Sequence, residues 1–172
     1  MFRVFLQTLL VCYWLCAVSV CHAEDDQTVN REYQLKTAYL FHFAELAEWP
    51  EATHVVICLQ GNHPIRSYLP VLNGQHINNK AVLVKFDIPI AIAECQILFF
   101  SDLDALSNTV LEQAQKFHVL LVSDVENFAQ TGGMIQFTLR DNKLKLVVNL
   151  SAVKLAGLKL SSKLLRMAEI LE

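Results

Sequence analysis

The sequence predicts a single α/β domain, a mixed sheet of about six strands flanked by helices and closed by an antiparallel C-terminal hairpin. Three observations carry this expectation. Short apolar runs with the length of buried strands (His54–Gln60, Gln96–Phe100, Val119–Ser123) alternate with helix-like stretches, a pattern that implies parallel packing. Met134–Arg140 and Lys143–Asn149 are separated by Asp141-Asn142, a two-residue polar turn suited to a hairpin. The composition, 53% hydrophobic and 18% charged with 5 Gly and 4 Pro in 172 residues, supplies enough apolar surface to offset the entropy of ordering and excludes a disordered or low-complexity chain.

Taken in order, Met1–Ala23 has a short start with Arg3, an apolar run from Val4 to Val20 and a small-residue exit at Cys21 and Ala23. This is the pattern of a secretory signal peptide cleaved after Ala23, which leaves residues 24–172 as the domain. The competing reading is an uncleaved anchor. The run is broken by Gln7 and Thr8 and falls short of the ~20 residues that span a bilayer. A lipoprotein is disfavoured by Val20 before Cys21, and no second long apolar run follows, so the mature chain is expected to be soluble.

Asn30–Trp49 lacks Gly and Pro and ends against Pro50, which predicts a long first helix. At 100° per residue Gln34, Thr37, Glu45 and Glu48 form a polar arc, while Leu35, Leu40, Phe43, Leu46 and Ala47 fill most of the remaining circumference. Such a helix needs cover on several sides. Phe41 falls inside the polar arc, either as a packed edge residue or as part of a partner surface. After the 54–60 strand, Gly61–Pro64 turns into a helix running to Leu72. Lys80–Phe86 reads as a strand, Ile88–Ala93 as a connection or short helix, Asp102–Phe117 as a helix, and Asp124–Thr131 as a short helix stopped by Gly132-Gly133. Beyond the hairpin, Ser151–Ala156 is a short helix closed by Gly157. Ser162–Leu171 reads as a terminal helix with Leu164, Met167, Ala168 and Leu171 on one face.

Removing the signal takes Cys12, Cys16 and Cys21 with it and leaves Cys58 and Cys95. In an oxidising compartment two cysteines suggest one disulfide; the alternative is two buried thiols. With 14 Lys+Arg against 17 Asp+Glu, a net charge of −3 and no basic cluster, nucleic acid is not a partner this chain is built for. His42, His54, His63, His76 and His118 show no metal spacing, and neither cysteine has neighbours that would complete a zinc site, so no metal is expected. No nucleophile elbow, phosphate loop or dinucleotide fingerprint occurs, and no catalytic residue or cofactor is implied. Asp102, Asp104, Asp124 and Glu126 follow strands where α/β sheets often build ligand sites, yet each also suits a helix cap or a first-turn charge. His63 and Ser123 could line a pocket at the same edge.

Several blocks together invite a comparison. Glu32–Phe41 with Phe43 and Trp49-Pro50, then Cys95–Phe99, Leu121–Asp124, Phe128-Ala129 with Gly132–Ile135, and Asn149-Leu150 through Ala156–Leu165 resemble, in order, the YfiR-like family of periplasmic proteins. The resemblance covers about Glu32 to Met167 and implies an α/β fold, commonly dimeric, with structural disulfides. It implies a secreted repressor that binds the periplasmic sensor domain of an inner-membrane diguanylate cyclase and lowers cyclic di-GMP until an outer-membrane lipoprotein removes it. Cys58 and Cys95 match the family's strand cysteines that form one bridge, and the second pair of some members has no counterpart here. The block around Asn149, Leu150, Gly157, Leu158, Leu160, Leu164 and Leu165 is where the resemblance would place the partner-facing surface; the alternative is that these residues are core. The competing function is a periplasmic small-ligand-binding module reporting to a sensor kinase or transporter, with its ligand at the carboxyl ends of the strands. An enzyme has the least support.

Overall fold

The structure is a computed structural model and describes residues 21–49, 52–86 and 91–171, with side chains from residue 27 onward. The expected signal peptide lies outside the described residues apart from the backbone of its last three. Eight strands form one sheet in the order β2-β3-β1-β4-β5-β6-β7-β8. They are β1 His54–Gln60, β2 His76–Ile77, β3 Lys80–Lys85, β4 Ile97–Phe100, β5 Leu120–Ser123, β6 Ile135–Arg140, β7 Lys143–Asn149 and β8 Ala168–Leu171. The neighbours β3-β1-β4-β5-β6 are parallel, β2 pairs antiparallel with β3, β6 with β7, and β8 joins β7 in parallel. The class is the expected α/β with a mixed sheet. The helices are α1 Cys21–Leu46, α2 Asn108–Phe117, α3 Leu150–Leu155 and α4 Ser162–Leu165.

Strands β4 and β5 are buried at every position, which is why their sequences are unbroken apolar runs. Ring contacts show how the alternation is used. Phe99 reaches Phe137 and His63 beneath α1, while Phe100 points the other way onto Phe128. The hairpin turns as its sequence requires, with Asp141 at φ 53° and Asn142 at φ 55°, the left-handed pair of a two-residue loop. Cys58 in β1 and Cys95, in the turn leading to β4, are joined in a disulfide with Cα atoms 5.9 Å apart, and both residues are buried.

Four expectations are corrected. Residues 64–72 form two short 3-10 turns, Pro64–Ser67 and Leu69–Leu72, because Pro70 cannot donate the hydrogen bond that a continuous helix would need. Helix α2 begins at Asn108 rather than Asp102: the Ser107 hydroxyl accepts from Val110 N–H as the cap, while Asp102 holds a preceding turn through Ala105 N–H. Residues 124–131 are turns, with Asn127 at φ 62° interrupting any helix. The terminal segment is helical only over Ser162–Leu165, and Ala168–Leu171 is a strand. Its 3.6-residue apolar spacing is outweighed by the open edge of β7, whose backbone groups β8 satisfies. The pair His76–Ile77, unmarked by any apolar run, adds the short edge strand β2.

Removing the bridge with Cys58→Ala and Cys95→Ala opens a loop whose ends are 37 residues apart. The expected loss of stability is about 4 kcal/mol, read in urea unfolding as a lower midpoint for the variant than for the oxidised natural chain. Equal midpoints would show that the bridge contributes nothing.

Candidate functional site

Helix α1 lies across one face of the sheet, and its phase differs from the expected one. The buried face carries Lys36, Thr37, Leu40, Phe43, Ala44 and Ala47, whereas Leu35 is 42% exposed. Thr37 leaves the expected polar arc because its hydroxyl donates to the Tyr33 carbonyl one turn back, which satisfies it within the helix. Phe43 stacks on Phe137, and Tyr39 packs against the same ring. Trp49, beyond the helix, donates its indole N–H to the His118 carbonyl at the amino end of β5.

Midway along α1 a buried ionic cluster meets the carboxyl ends of β1 and β5. The Lys36 side chain is only 5% exposed; its ammonium donates to Asp124 Oδ2 at 2.5 Å and pairs with Glu32 one turn earlier. Asp124 Oδ2 also lies 3.1 Å from His63 Nε2. His63 Nδ1 accepts from Ile65 N–H at 3.2 Å, which places the neutral ring's proton on Nε2, directed at the carboxylate. The Tyr33 ring stands edge-on to His63 and lies 5.2 Å from the Lys36 ammonium. Burial alone would push the Lys36 ammonium down; hydrogen bonds to Asp124 and Glu32, with their charges, overcome it and hold Lys36 above its ordinary value. Burial likewise acts to raise Asp124, but the hydrogen bonds from His63 and Lys36 hold its carboxyl below the usual range. Asp124 is thus neither cap nor free ligand group.

The neighbouring loops close the ends of β1 and β4, while a hollow of about 390 Å³ remains beside β5 and β6, lined by Lys36, Asp124, Glu126 and Gln136. Gly61, at φ +89°, has Ser101 Oγ at 1.8 Å from the place where a Cβ would sit, so the loops after β1 and β4 meet directly. Ser123 donates to the Phe100 carbonyl and accepts from Val125 N–H. Among the described residues no buried side-chain polar atom lacks a partner, and no group of three His, Cys, Asp or Glu could hold a metal ion.

The opposite side of α1 is open. Leu35, Tyr39 and Leu144 line a groove of about 690 Å³ with Leu139 of the hairpin. Leu35 and Tyr39 also line an adjoining hollow of about 260 Å³ that ends at Leu46 and Met167. The cover that the apolar circumference requires is therefore present on one side only. Of the residues placed in a partner surface by sequence, Leu158 and Leu164 are buried in the core. Phe41, Leu160 and Leu165 are half-buried and packed against it. Asn149 caps α3 by accepting from Ala152 N–H and donates to the Ala129 carbonyl; Leu150, also half-buried, begins α3. Sequence reasoning missed Glu32, Tyr33 and Lys36. The signal was available in the 33, 36, 40, 43, 47 spacing, which competes with the 35-centred arc, and in an Asp directly following a buried strand.

The sequence profile of YfiR/HmsC-like proteins matches residues 33–169, from the middle of α1 to β8. The chain belongs to the YfiR/HmsC-like family. YfiR/HmsC-like proteins are periplasmic regulators of diguanylate cyclase signalling and are not typically catalytic. No curated relative matches the chain significantly. Among solved structures, a conserved domain protein from Vibrio cholerae O1 biovar eltor superposes with a TM-score of 0.56 at 8% identity, over 79% of this chain and 60% of that one. An ABC domain in complex with L-Trp from Streptococcus pneumonia gives a TM-score of 0.46 at 10% identity, over 69% of this chain and 55% of that one. This YfiR/HmsC-like chain thus spans less than two thirds of either, and the first likeness is one of fold. Among its described residues no helix is long and apolar enough to cross a membrane.

Replacing Lys36 by Met leaves Asp124 and Glu32 without their shared cation, and the expected cost is about 3 kcal/mol, against less than about 0.5 for a polar residue at exposed Leu35. Chemical unfolding of the two variants checks the contrast. Because Asp124 is held below its unfolded value, its stabilisation is complete above about pH 4 and is lost as pH falls through the lowered folded value. Lys36, held above its ordinary value, keeps its contribution until pH rises through the raised folded value beyond about pH 10. The stability gap between the natural chain and Asp124→Asn is therefore expected to stay level from about pH 5 to pH 9 and to shrink in acid. A gap that grows in acid would contradict this assignment.

Proposed function

We propose that this chain is an exported repressor that docks on the periplasmic sensor domain of an inner-membrane diguanylate cyclase and holds the enzyme in its inactive state. Membership of the YfiR/HmsC-like family over residues 33–169 is the observation that carries this reading. The signal-like start at Met1–Ala23 supports an extracytoplasmic site of action. The uncovered apolar side of α1 supplies a surface for a protein partner.

Binding is then the whole mechanism. A repressor shifts the cyclase only by as much as it prefers the inactive conformation over the active one, and a preference of about 1–3 kcal/mol changes activity roughly 5–150-fold. In its fuller form the reading has the repressor acting as a homodimer that an outer-membrane lipoprotein withdraws. For a small-ligand module the strand ends offer a hollow of about 390 Å³ beside Lys36 and Asp124, whose charged groups are already committed to each other.

Deleting the gene in its native host, in cells that contain the cognate cyclase, is expected to raise cyclic di-GMP, and restoring the exported chain to lower it again. An unchanged nucleotide level would defeat the repressor reading.

A further inference from the structure

We propose that the groove on the open side of α1 receives an amphipathic helix whose apolar face is flanked by acidic side chains. The inference deepens the repressor reading and rests on it for the partner being a polypeptide. Leu35 of α1, Leu139 of the hairpin and Met167 before β8 are all large apolar residues exposed by 42%, 53% and 46%. Scattered singly they would need no explanation, but Leu35 and Tyr39 line both hollows, so that Leu139 on one side and Met167 on the other adjoin a common wall.

The rim is basic. Arg31 and Lys143 flank the larger hollow and Lys163 the smaller. Among the described residues none of the three takes part in an ion pair, whereas the nearby Glu32 is already committed to Lys36. A chain of net charge −3 has thus gathered unpaired cations around these two apolar hollows, and charge complementarity calls for an acidic occupant.

Shape selects a helix. From Arg31 to Leu46 α1 runs for about 22 Å, roughly four turns, and a helix laid along it offers side chains at i, i+3, i+4 and i+7 to the hollow. An added β-strand would need free backbone donors and acceptors along its path, and the backbone of α1 is hydrogen-bonded internally. A second copy is disfavoured on charge, because a two-fold arrangement of the same groove would bring two basic rims together.

The test uses the exported chain and two fluorescent helical peptides of about 18 residues with Leu at i, i+3, i+4 and i+7, one flanked by Glu and the other by Lys. Fluorescence anisotropy is expected to show saturable binding of the Glu peptide that weakens with added salt. Its affinity falls by at least about tenfold in Leu35→Glu and in the Arg31→Glu/Lys163→Glu pair, while the charge-reversed pair gains affinity for the Lys peptide. That gain shows the variant is folded. Equal binding of both peptides, no binding of the Glu peptide, or binding indifferent to Leu35→Glu overturns the proposal. So does a dimer by light scattering, or flotation with phosphatidylglycerol vesicles, that Leu35→Glu abolishes, since either gives the groove a different occupant. If Leu35→Glu still represses cyclic di-GMP like the natural chain, the groove assignment fails and the repressor reading stands. If the natural chain leaves cyclic di-GMP unchanged while binding the Glu peptide, the repressor reading fails instead.

Discussion

Helix α1 carries more apolar circumference than one sheet can cover, and the ionic cluster at its middle decides which part is buried. A helix of this composition could seat itself on the sheet through Leu35, Tyr39 and Leu46 or through Leu40, Phe43 and Ala47. The second phase places Lys36 directly against Asp124, with Glu32 and His63 completing the arrangement. Rotating the helix by one residue to bury Leu35 would leave Asp124 at the end of a buried strand without its cation. That is costlier than exposing a leucine, because an unpaired buried carboxylate loses its hydration and receives nothing in return.

A buried ion pair contributes little net stability relative to apolar residues of the same shape, and its use here is to specify register. The second anchor, Trp49 donating to the His118 carbonyl, fixes the far end. The segment after α3 strengthens that anchor: Ser161 N–H donates to the Leu46 carbonyl and Glu48 N–H to that of Lys159. Pinned at its middle and its carboxyl end, α1 keeps Leu35 exposed and Tyr39 at the edge of the core, between the hairpin and Met167, as a fixed feature of the surface. Preorganisation of this kind lowers the entropy lost when a partner binds.

The same economy explains why the charged groups at the strand ends, the usual place for ligand chemistry in open α/β sheets, are committed to one another. Asp124, His63 and Ser123 are placed where an enzyme would keep catalytic groups, yet each is satisfied by another part of the chain. The carboxyl edge has become a structural joint, and the surface left for interaction is apolar with a cationic rim. Such a surface suits a protein whose work is done by occupying another polypeptide.

How much of this was legible in the sequence depends on the range of the interactions involved. Strands β1, β4 and β5 and the hairpin follow from local apolar runs and from a turn whose residues tolerate positive φ, and the two domain cysteines were countable once the signal was set aside. Local patterns misled where a distant partner outweighed them. The terminal apolar spacing suits a helix, yet Ala168–Leu171 pairs with β7 because that edge has unsatisfied backbone groups. The existence of the long first helix is written in its residues, but its rotation is not: Lys36 and Asp124 are 88 positions apart, and no one-dimensional pattern records that they meet. By itself the sequence determined the class, six of the eight strands and the count of domain cysteines, since these arise from neighbours a few residues away or from simple counting. Only the tertiary structure decided which side of α1 faces water and that the charged groups at the strand ends pair with one another, since both outcomes depend on which charges the fold brings together out of solvent.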